Sequence, residues 1–252
     1  MTSDSGAFED SALIYDLIYG DKDSYGEARW VGDQLRRHRV PATGRLLELG
    51  AGTGRHARLL ADSGYTVTAV DPSVEMLSHS IPHPRVTYSE GNGQNLRLES
   101  SFDAVLALFH VVSYQTTLEA AHSFFSTAAA HLDSGGIFAF DVWYSPAVIF
   151  QQPEARVLIK ENELIRVTRK ASPIEDIAQS RVDVHYSYSV EEIGTNVSRH
   201  FEELHSMRHF TIAELELLGS ALGFSLIDSR EFMSDRQPSR DTWGVWFAFR
   251  KN

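Results

Sequence analysis

The sequence predicts an α/β fold: a doubly wound, mostly parallel sheet that carries an antiparallel β insertion. Three observations predict it. Short apolar strand segments alternate with helical segments from Arg45 to Val142, a rhythm that buries a parallel sheet between two helical layers. A glycine-rich turn, Gly50-Ala51-Gly52-Thr53-Gly54, joins the first of those strands directly to a helix, at the end of the sheet where such folds bind ligands. After Pro146 the rhythm gives way to successive strands with frequent alternation.

Taken in order, residues from Asp10 to His38 read as helical, because Leu13, Leu17, Ile18, Trp30, Val31 and Leu35 recur at helical spacing. Asp21 to Tyr25 breaks that run, and Pro41 to Gly44 is a turn. Arg45 to Leu49 is the first strand, followed by a helix over His56 to Ser63. Thr66 to Val70 and a helix over Ser73 to His79 form the next unit, and Val86 to Ser89 is a third strand. Phe102 to Leu108 is a fourth strand and Thr117 to Leu132 a long helix; Gly135-Gly136 then turns the chain into a fifth strand, Ile137 to Val142. Val157 to Lys160, Leu164 to Lys170, Arg181 to Val190 and Ser198 to Met207 read as an antiparallel layer inserted into the fold. Thr211 to Leu222 is a helix with Thr211 as N-cap and Glu214 in a capping box, stopped by Gly223. Phe224 to Glu231 and Thr242 to Arg250 are closing strands around a loop, Met233 to Arg240. The chain therefore divides into N-terminal helices and a ligand-binding core (1–145), an antiparallel insertion (146–210) and a return of the core (211–252).

Composition narrows the function classes. Hydrophobic residues at 42% and charged residues at 23% are ordinary for a globular chain. A formal net charge of -11 argues against general affinity for nucleic acid phosphates. The absence of cysteine excludes disulfides, thiolate zinc sites and cysteine nucleophiles. No run is apolar enough to span a bilayer. Met1 to Asp10 is polar and acidic, unlike a secretory signal, so a cytoplasmic location is expected. No HExxH-type or clustered carboxylate–histidine pattern indicates a metal. The expected partner is a small molecule, with neither nucleic acid nor membrane. Sheet edges in the insertion suit pairing across a homodimer.

The chemistry centres on Glu48-Leu49-Gly50-Ala51-Gly52-Thr53-Gly54, which follows a strand and opens a helix. An ordinary strand–helix turn needs no three alternating glycines. Asp71 ends the next strand about 20 residues on, as a ribose-binding acid does. That spacing alone also suits an NAD-dependent oxidoreductase. The glycine segment, followed by Val70-Asp71-Pro72-Ser73, resembles the first motif and acidic loop of the class I methyltransferases, which have a Rossmann-like fold and use S-adenosylmethionine. The resemblance implies Glu48 near the donor's methionine end, Gly50, Ala51, Gly52 and Gly54 beneath the donor, and Asp71 with Pro72 at the ribose. It also implies Met76 against adenine, although a methionine there alone reads as core. In Glu90-Gly91-Asn92 the last residue stands where the family often has an acid, and its side-chain carbonyl can accept from the adenine amino group. Leu108 lies at the end of the fourth strand, the sheet's mouth.

A narrower resemblance covers nearly the whole chain. Tyr15-Asp16-Leu17-Ile18-Tyr19, Lys22-Asp23 with Tyr25, and Phe140-Asp141-Val142-Trp143-Tyr144-Ser145-Pro146 resemble segments of bacterial dTDP-deoxyamino-sugar N,N-dimethyltransferases. So do Arg181-Val182-Asp183-Val184-His185-Tyr186, Glu203-Leu204-His205 and Pro238-Ser239-Arg240. This resemblance implies N-methylation of a nucleotide-linked deoxyamino sugar in antibiotic biosynthesis, and an amine acceptor also needs only to lose a proton. The catalytic candidates are Tyr15, His110 and Tyr114, the last standing where the family has a histidine. The substrate-side candidates are Trp143, Tyr144, Arg169, His205 and Arg240, with the guanidinium groups suited to a diphosphate. Tyr19 shares a helical face with Tyr15, and Tyr25 either closes over the donor or sits in a surface turn. Each also has a plain reading: the tyrosines as core edges, His110 as a structural hydrogen-bonder, the tryptophan and Tyr144 as anchors of the insertion, the arginines as solvated, and His205 as a strand residue facing solvent. Rival functions are an O-methyltransferase of a sugar or other small metabolite, the oxidoreductase, and a non-catalytic binding module.

Overall fold

The computed structural model describes Ser11 and residues 14–252, so the readings for Met1 to Asp10 and for Leu13 lie outside the described residues. The chain runs α1 (Tyr15–Ile18), α2 (Ser24–Arg37), β1 (Arg45–Leu49), α3 (Arg55–Asp62), β2 (Thr66–Asp71), α4 (Val74–Ser78), β3 (Val86–Glu90) and β4 (Phe102–Ala107). A 3-10 turn (Val111–Tyr114) leads to α5 (Leu118–Ala130), β5 (Leu132–Tyr144) and α6 (Ser145–Gln151). Then come β6 (Arg156–Glu161), β7 (Ile165–Asp176), β8 (Arg181–Glu192), β9 (Ser198–Phe210), α7 (Ile212–Ala221), β10 (Phe224–Glu231) and β11 (Gly244–Lys251). Among the described residues no helix is long and apolar enough to cross a membrane.

The strands β3-β2-β1-β4-β5 are parallel neighbours in that order, and β11 joins β5 and β10 antiparallel. The order reverses between β1 and β4, so a crevice opens at their C-terminal ends. The central strands β1 and β4 read as apolar runs because both faces are covered. Leu47, Leu49, Val105, Phe138, Phe140 and Phe247 pack on one side with Phe124 and Phe125 of α5 and Leu215 of α7. Leu46, Ala104, Leu106, Ala139 and Trp246 pack on the other with Val31 and Leu35 of α2 and Leu60 of α3. Burying one such Leu or Phe contributes roughly 1.5–3 kcal/mol. The Thr211 hydroxyl accepts from Glu214 N at 3.2 Å as the capping motif requires, while the Glu214 carboxylate reaches Arg208 at 2.6 Å.

The antiparallel strands are a continuation of the sheet rather than a separate layer. β6 to β9 form a meander, and β9 pairs in parallel with the tip of β5 through Trp143↔His209 and Tyr144↔Phe210. β7 runs through Pro173 to Asp176, beyond its expected end at Lys170. β6 begins at Arg156 opposite Ala171, so Pro173 lies past it, where that side of β7 is an edge and proline is tolerated. α6 was not anticipated: Pro146 reads as a break, yet at the first turn of a helix its missing N–H costs nothing. α1 packs Ile14 and Ile18 against Val167 of β7 and Tyr188 of β8. The insertion thereby carries the N-terminal tyrosines to the mouth of the core sheet.

Candidate active site

The glycine turn is built by backbone constraint. Gly50, Gly52 and Gly54 have φ of 73°, 58° and 71°, the left-handed region that disfavours side chains. A Cβ at Gly50 would lie 2.6 Å from Val111, and one at Gly54 would lie 2.3 Å from Tyr88. Asp71 closes the turn: Oδ2 accepts from Gly52 N at 2.7 Å and Oδ1 from Ser73 N at 2.8 Å. Burial raises the Asp71 carboxyl above its ordinary value against the lowering effect of those two bonds. A carboxylate has about four acceptor sites, so two remain for a ligand's hydroxyls.

Beside this turn lies a cavity of about 640 Å3 at the mouth of the sheet. Glu48, Gly50, Ala51, Gly52, Asp71, Pro72, Met76, Asn92 and Leu108 line it, and so do Tyr15, Tyr19 and Tyr114. Burial pushes the Glu48 carboxyl up to about 7, and its Oε2 is buried without a hydrogen-bond partner among the described residues. Asn92 Oδ1 already accepts from Gln94 N at 2.9 Å, so one of its two lone pairs is committed to a local turn.

The cavity also has walls that the sequence reading missed: Lys22, Arg55, His56 and Phe109. Arg55 donates to Asp16 Oδ1 at 2.6 Å and to the Tyr19 carbonyl at 3.1 Å, tying α1 to the start of α3. Lys22 and His56 share Glu27 at 2.7 and 2.9 Å, and Lys22 lies 3.6 Å over the Phe109 ring. The signal for Arg55 and His56 was position, since both begin the helix that the glycine turn opens.

Opposite the turn, tyrosines dominate. The Tyr15 and Tyr19 rings are 4.7 Å apart, and Arg169 donates to the Tyr19 hydroxyl at 3.0 Å. The Tyr114 hydroxyl is 2.8 Å from His205 Nδ1. Burial raises the phenols of Tyr15 and Tyr114, so both stay protonated at neutral pH.

Several expected residues stand elsewhere. Tyr25 is 70% exposed and does not line the cavity. Gly54 sits behind the turn against Tyr88. His110 is off the cavity wall: its Nδ1 lies 2.6 Å from Asp141 Oδ2, which also accepts from His110 N at 3.1 Å. Burial alone would raise Asp141, but the adjacent His110, which pairs and hydrogen-bonds with it, and the Lys22 charge hold it below its ordinary value. The Trp143 ring is edge-on to His110 at 6.4 Å and to Trp243 at 5.7 Å. Tyr144 is half-buried against the core. Arg240 stacks over Phe150 at 4.3 Å, away from the cavity. Arg169 and His205 stand behind Tyr19 and Tyr114, and His205 is buried, not solvent-facing.

Comparison with known proteins agrees with this geometry. A family model described as a methyltransferase domain matches residues 46–136. A dTDP-3-amino-3,4,6-trideoxy-alpha-D-glucopyranose N,N-dimethyltransferase of Streptomyces venezuelae is 30% identical over 217 residues, 85% of this chain and 90% of the relative. A dTDP-3-amino-3,6-dideoxy-alpha-D-glucopyranose N,N-dimethyltransferase of Streptomyces fradiae is 30% identical over 228 residues, 88% of this chain and 85% of the relative. The crystal structure of Streptomyces venezuelae DesVI superposes with a TM-score of 0.80 at 25% identity, covering 96% of this chain and 98% of that one.

Proposed function

The chain belongs to the class I S-adenosylmethionine-dependent methyltransferases, and on that premise we propose that it N-methylates the amino group of a nucleotide-linked deoxyamino sugar in the cytoplasm. The observation that carries the choice of nitrogen is the tyrosine-lined wall of the cavity. Tyr15 and Tyr114 are held protonated by burial, so neither phenol is an anionic base at neutral pH. A sugar hydroxyl needs such a base before it can attack, whereas a neutral amine brings its own lone pair and sheds an acidic proton afterwards. The relatives that methylate amino sugars support the acceptor class.

S-adenosylmethionine supplies an electrophilic methyl group on a sulfonium sulfur when it is bound. The chain's residues fit it. The unpartnered buried oxygen of Glu48 suits the donor's cationic end, the two remaining acceptor sites of Asp71 suit ribose hydroxyls, and buried Met76 suits an adenine face. The residues' part in the reaction is to orient the acceptor nitrogen and exclude water.

The test is turnover with S-adenosylmethionine and either a dTDP-linked amino sugar or its hydroxyl counterpart, followed by mass spectrometry. The expected product is the amine gaining one or two methyl groups and the hydroxyl compound gaining none. Methylation of the hydroxyl compound alone makes the enzyme an O-methyltransferase and overturns the reading.

A further inference from the structure

We propose that Tyr114 takes the proton released by the acceptor nitrogen, and that His205 and Glu203 form a buried relay that positions the Tyr114 hydroxyl and draws the proton away. This rests on the amine reading above. The chain of contacts is continuous: Tyr114 Oη lies 2.8 Å from His205 Nδ1, and His205 Nε2 lies 3.1 Å from Glu203 Oε2. The Glu203 oxygens also accept from Ser11 N and Ser11 Oγ, both at 2.9 Å. His205 and Glu203 are two residues apart on β9, so their side chains leave the same face of the strand. Both are only 4% exposed, whereas Tyr114 lines the cavity.

The direction of the relay follows from its far end. The bonds from Ser11 and His205 hold the Glu203 carboxyl below its ordinary value although burial opposes them, so it is ionised and only accepts. It therefore takes the Nε2–H of His205, and in the neutral imidazole that the relay requires this leaves Nδ1 as the acceptor and the Tyr114 O–H as the donor. The Tyr114 oxygen then presents lone pairs, and not its proton, to the acceptor nitrogen. Once the methyl group has transferred, an N–H bond of the resulting ammonium breaks and its electron pair stays on nitrogen. The proton passes to Tyr114 Oη as the phenol's own proton passes to His205 Nδ1. The products are a neutral amine, a regenerated phenol and an imidazolium beside a carboxylate. Tyr114 never becomes a phenolate, which its burial forbids. Tyr186 also faces His205, edge-on at 4.9 Å, with Arg169 beyond it at 5.0 Å from the Tyr186 ring.

Tyr114 is thus the catalytic group, and His205 and Glu203 are positioning residues. Nitrogen-15 NMR of the wild-type protein should find His205 neutral, with the proton on Nε2 and none on Nδ1. A proton on Nδ1 reverses the relay and overturns the proposal without any variant. Tyr114→Phe and His205→Asn should each lower kcat about 100-fold with the donor's Kd unchanged. Glu203→Gln should cost about tenfold, because an amide orients the ring yet cannot stabilise the imidazolium. Wild-type turnover with His205→Asn within about twofold of it overturns the relay alone. A wild-type enzyme that leaves the amino sugar unmethylated overturns the functional reading instead.

Discussion

The two ends of the cavity are built by opposite strategies. The end proposed for the donor comes from one stretch of chain: Glu48, the glycine turn, Asp71 and Met76 all fall within the run from β1 to α4. The end proposed for the acceptor is assembled from α1, the 3-10 turn, β7 and β9, and its bonds join residues far apart in sequence. Arg169 meets Tyr19 across 150 residues, Tyr114 meets His205 across 91, and Ser11 meets Glu203 across 192. A local site keeps its chemistry wherever the sheet is extended. A composite site changes whenever one of its strands does, which leaves room for acceptor specificity to vary on a constant donor site.

The largest expected effect tests the local end. Asp71→Ala removes the acceptor that Gly52 N and Ser73 N share, together with the sites proposed for the ribose. Losing charge-assisted bonds of this kind weakens binding roughly 100-fold. Isothermal titration with S-adenosylmethionine measures it, and an unchanged Kd would remove Asp71 from the donor site. The same titration on His205→Asn should show no change, and that contrast separates the two ends.

Legibility follows the same division. Spacing was enough to put Gly50, Gly52 and Asp71 together, because a strand–turn–helix unit fixes their relative positions, whereas Glu48 and Met76 were placed by the resemblance to class I methyltransferases. Gly54 misled because its partner, Tyr88, belongs to β3, so the glycine serves packing. At the composite end the residue types were recognisable, but not their partners. Nothing in the sequence fixes the β8–β9 register that sets His205 opposite Val184 and Glu203 opposite Tyr186. The sequence consequently leaves His205 open between a substrate contact and a solvent-facing strand residue until β9 is placed against the 3-10 turn. Arg240 misled for a related reason: its loop lies near the sheet's mouth, but α6, hidden behind Pro146, supplies Phe150 as its stacking partner.

Glu48 gives the comparison a pH dependence. Its folded-state carboxyl, pushed up to about 7 by burial, holds its proton more tightly than an unfolded glutamate, which titrates at ~4.3. The folded state therefore binds more protons between those values, and stability falls as pH rises through that window. Glu48→Gln abolishes the dependence. The variant should match the wild type near pH 4 and exceed it above pH 7 by roughly 3–4 kcal/mol, the size of the shift. Thermal unfolding at pH 4.5 and pH 8 reads the difference. Saturating S-adenosylmethionine should shrink it, since a cation beside the carboxylate restores the charged form. An advantage for the variant that is equal at both pH values, or untouched by the donor, would mean that Glu48 is not ionising in the cavity.

The smallest effect is expected at Tyr25. Side chains at successive helix positions point roughly 100° apart. Ser24 is buried and lines the cavity, which turns Tyr25 to solvent at 70% exposure. The Asp23 carboxylate holds that first turn of α2 by accepting from Gly26 N at 2.8 Å, so swinging Tyr25 over the donor means undoing an N-cap worth about 1 kcal/mol. Tyr25→Ala should therefore change stability by no more than about 0.5 kcal/mol and leave the Kd for S-adenosylmethionine at the wild-type value. A tenfold weaker Kd, about 1.4 kcal/mol, exceeds the cost of undoing the cap. It would mean that α2 re-forms around the bound donor, making part of the local end as composite as the other.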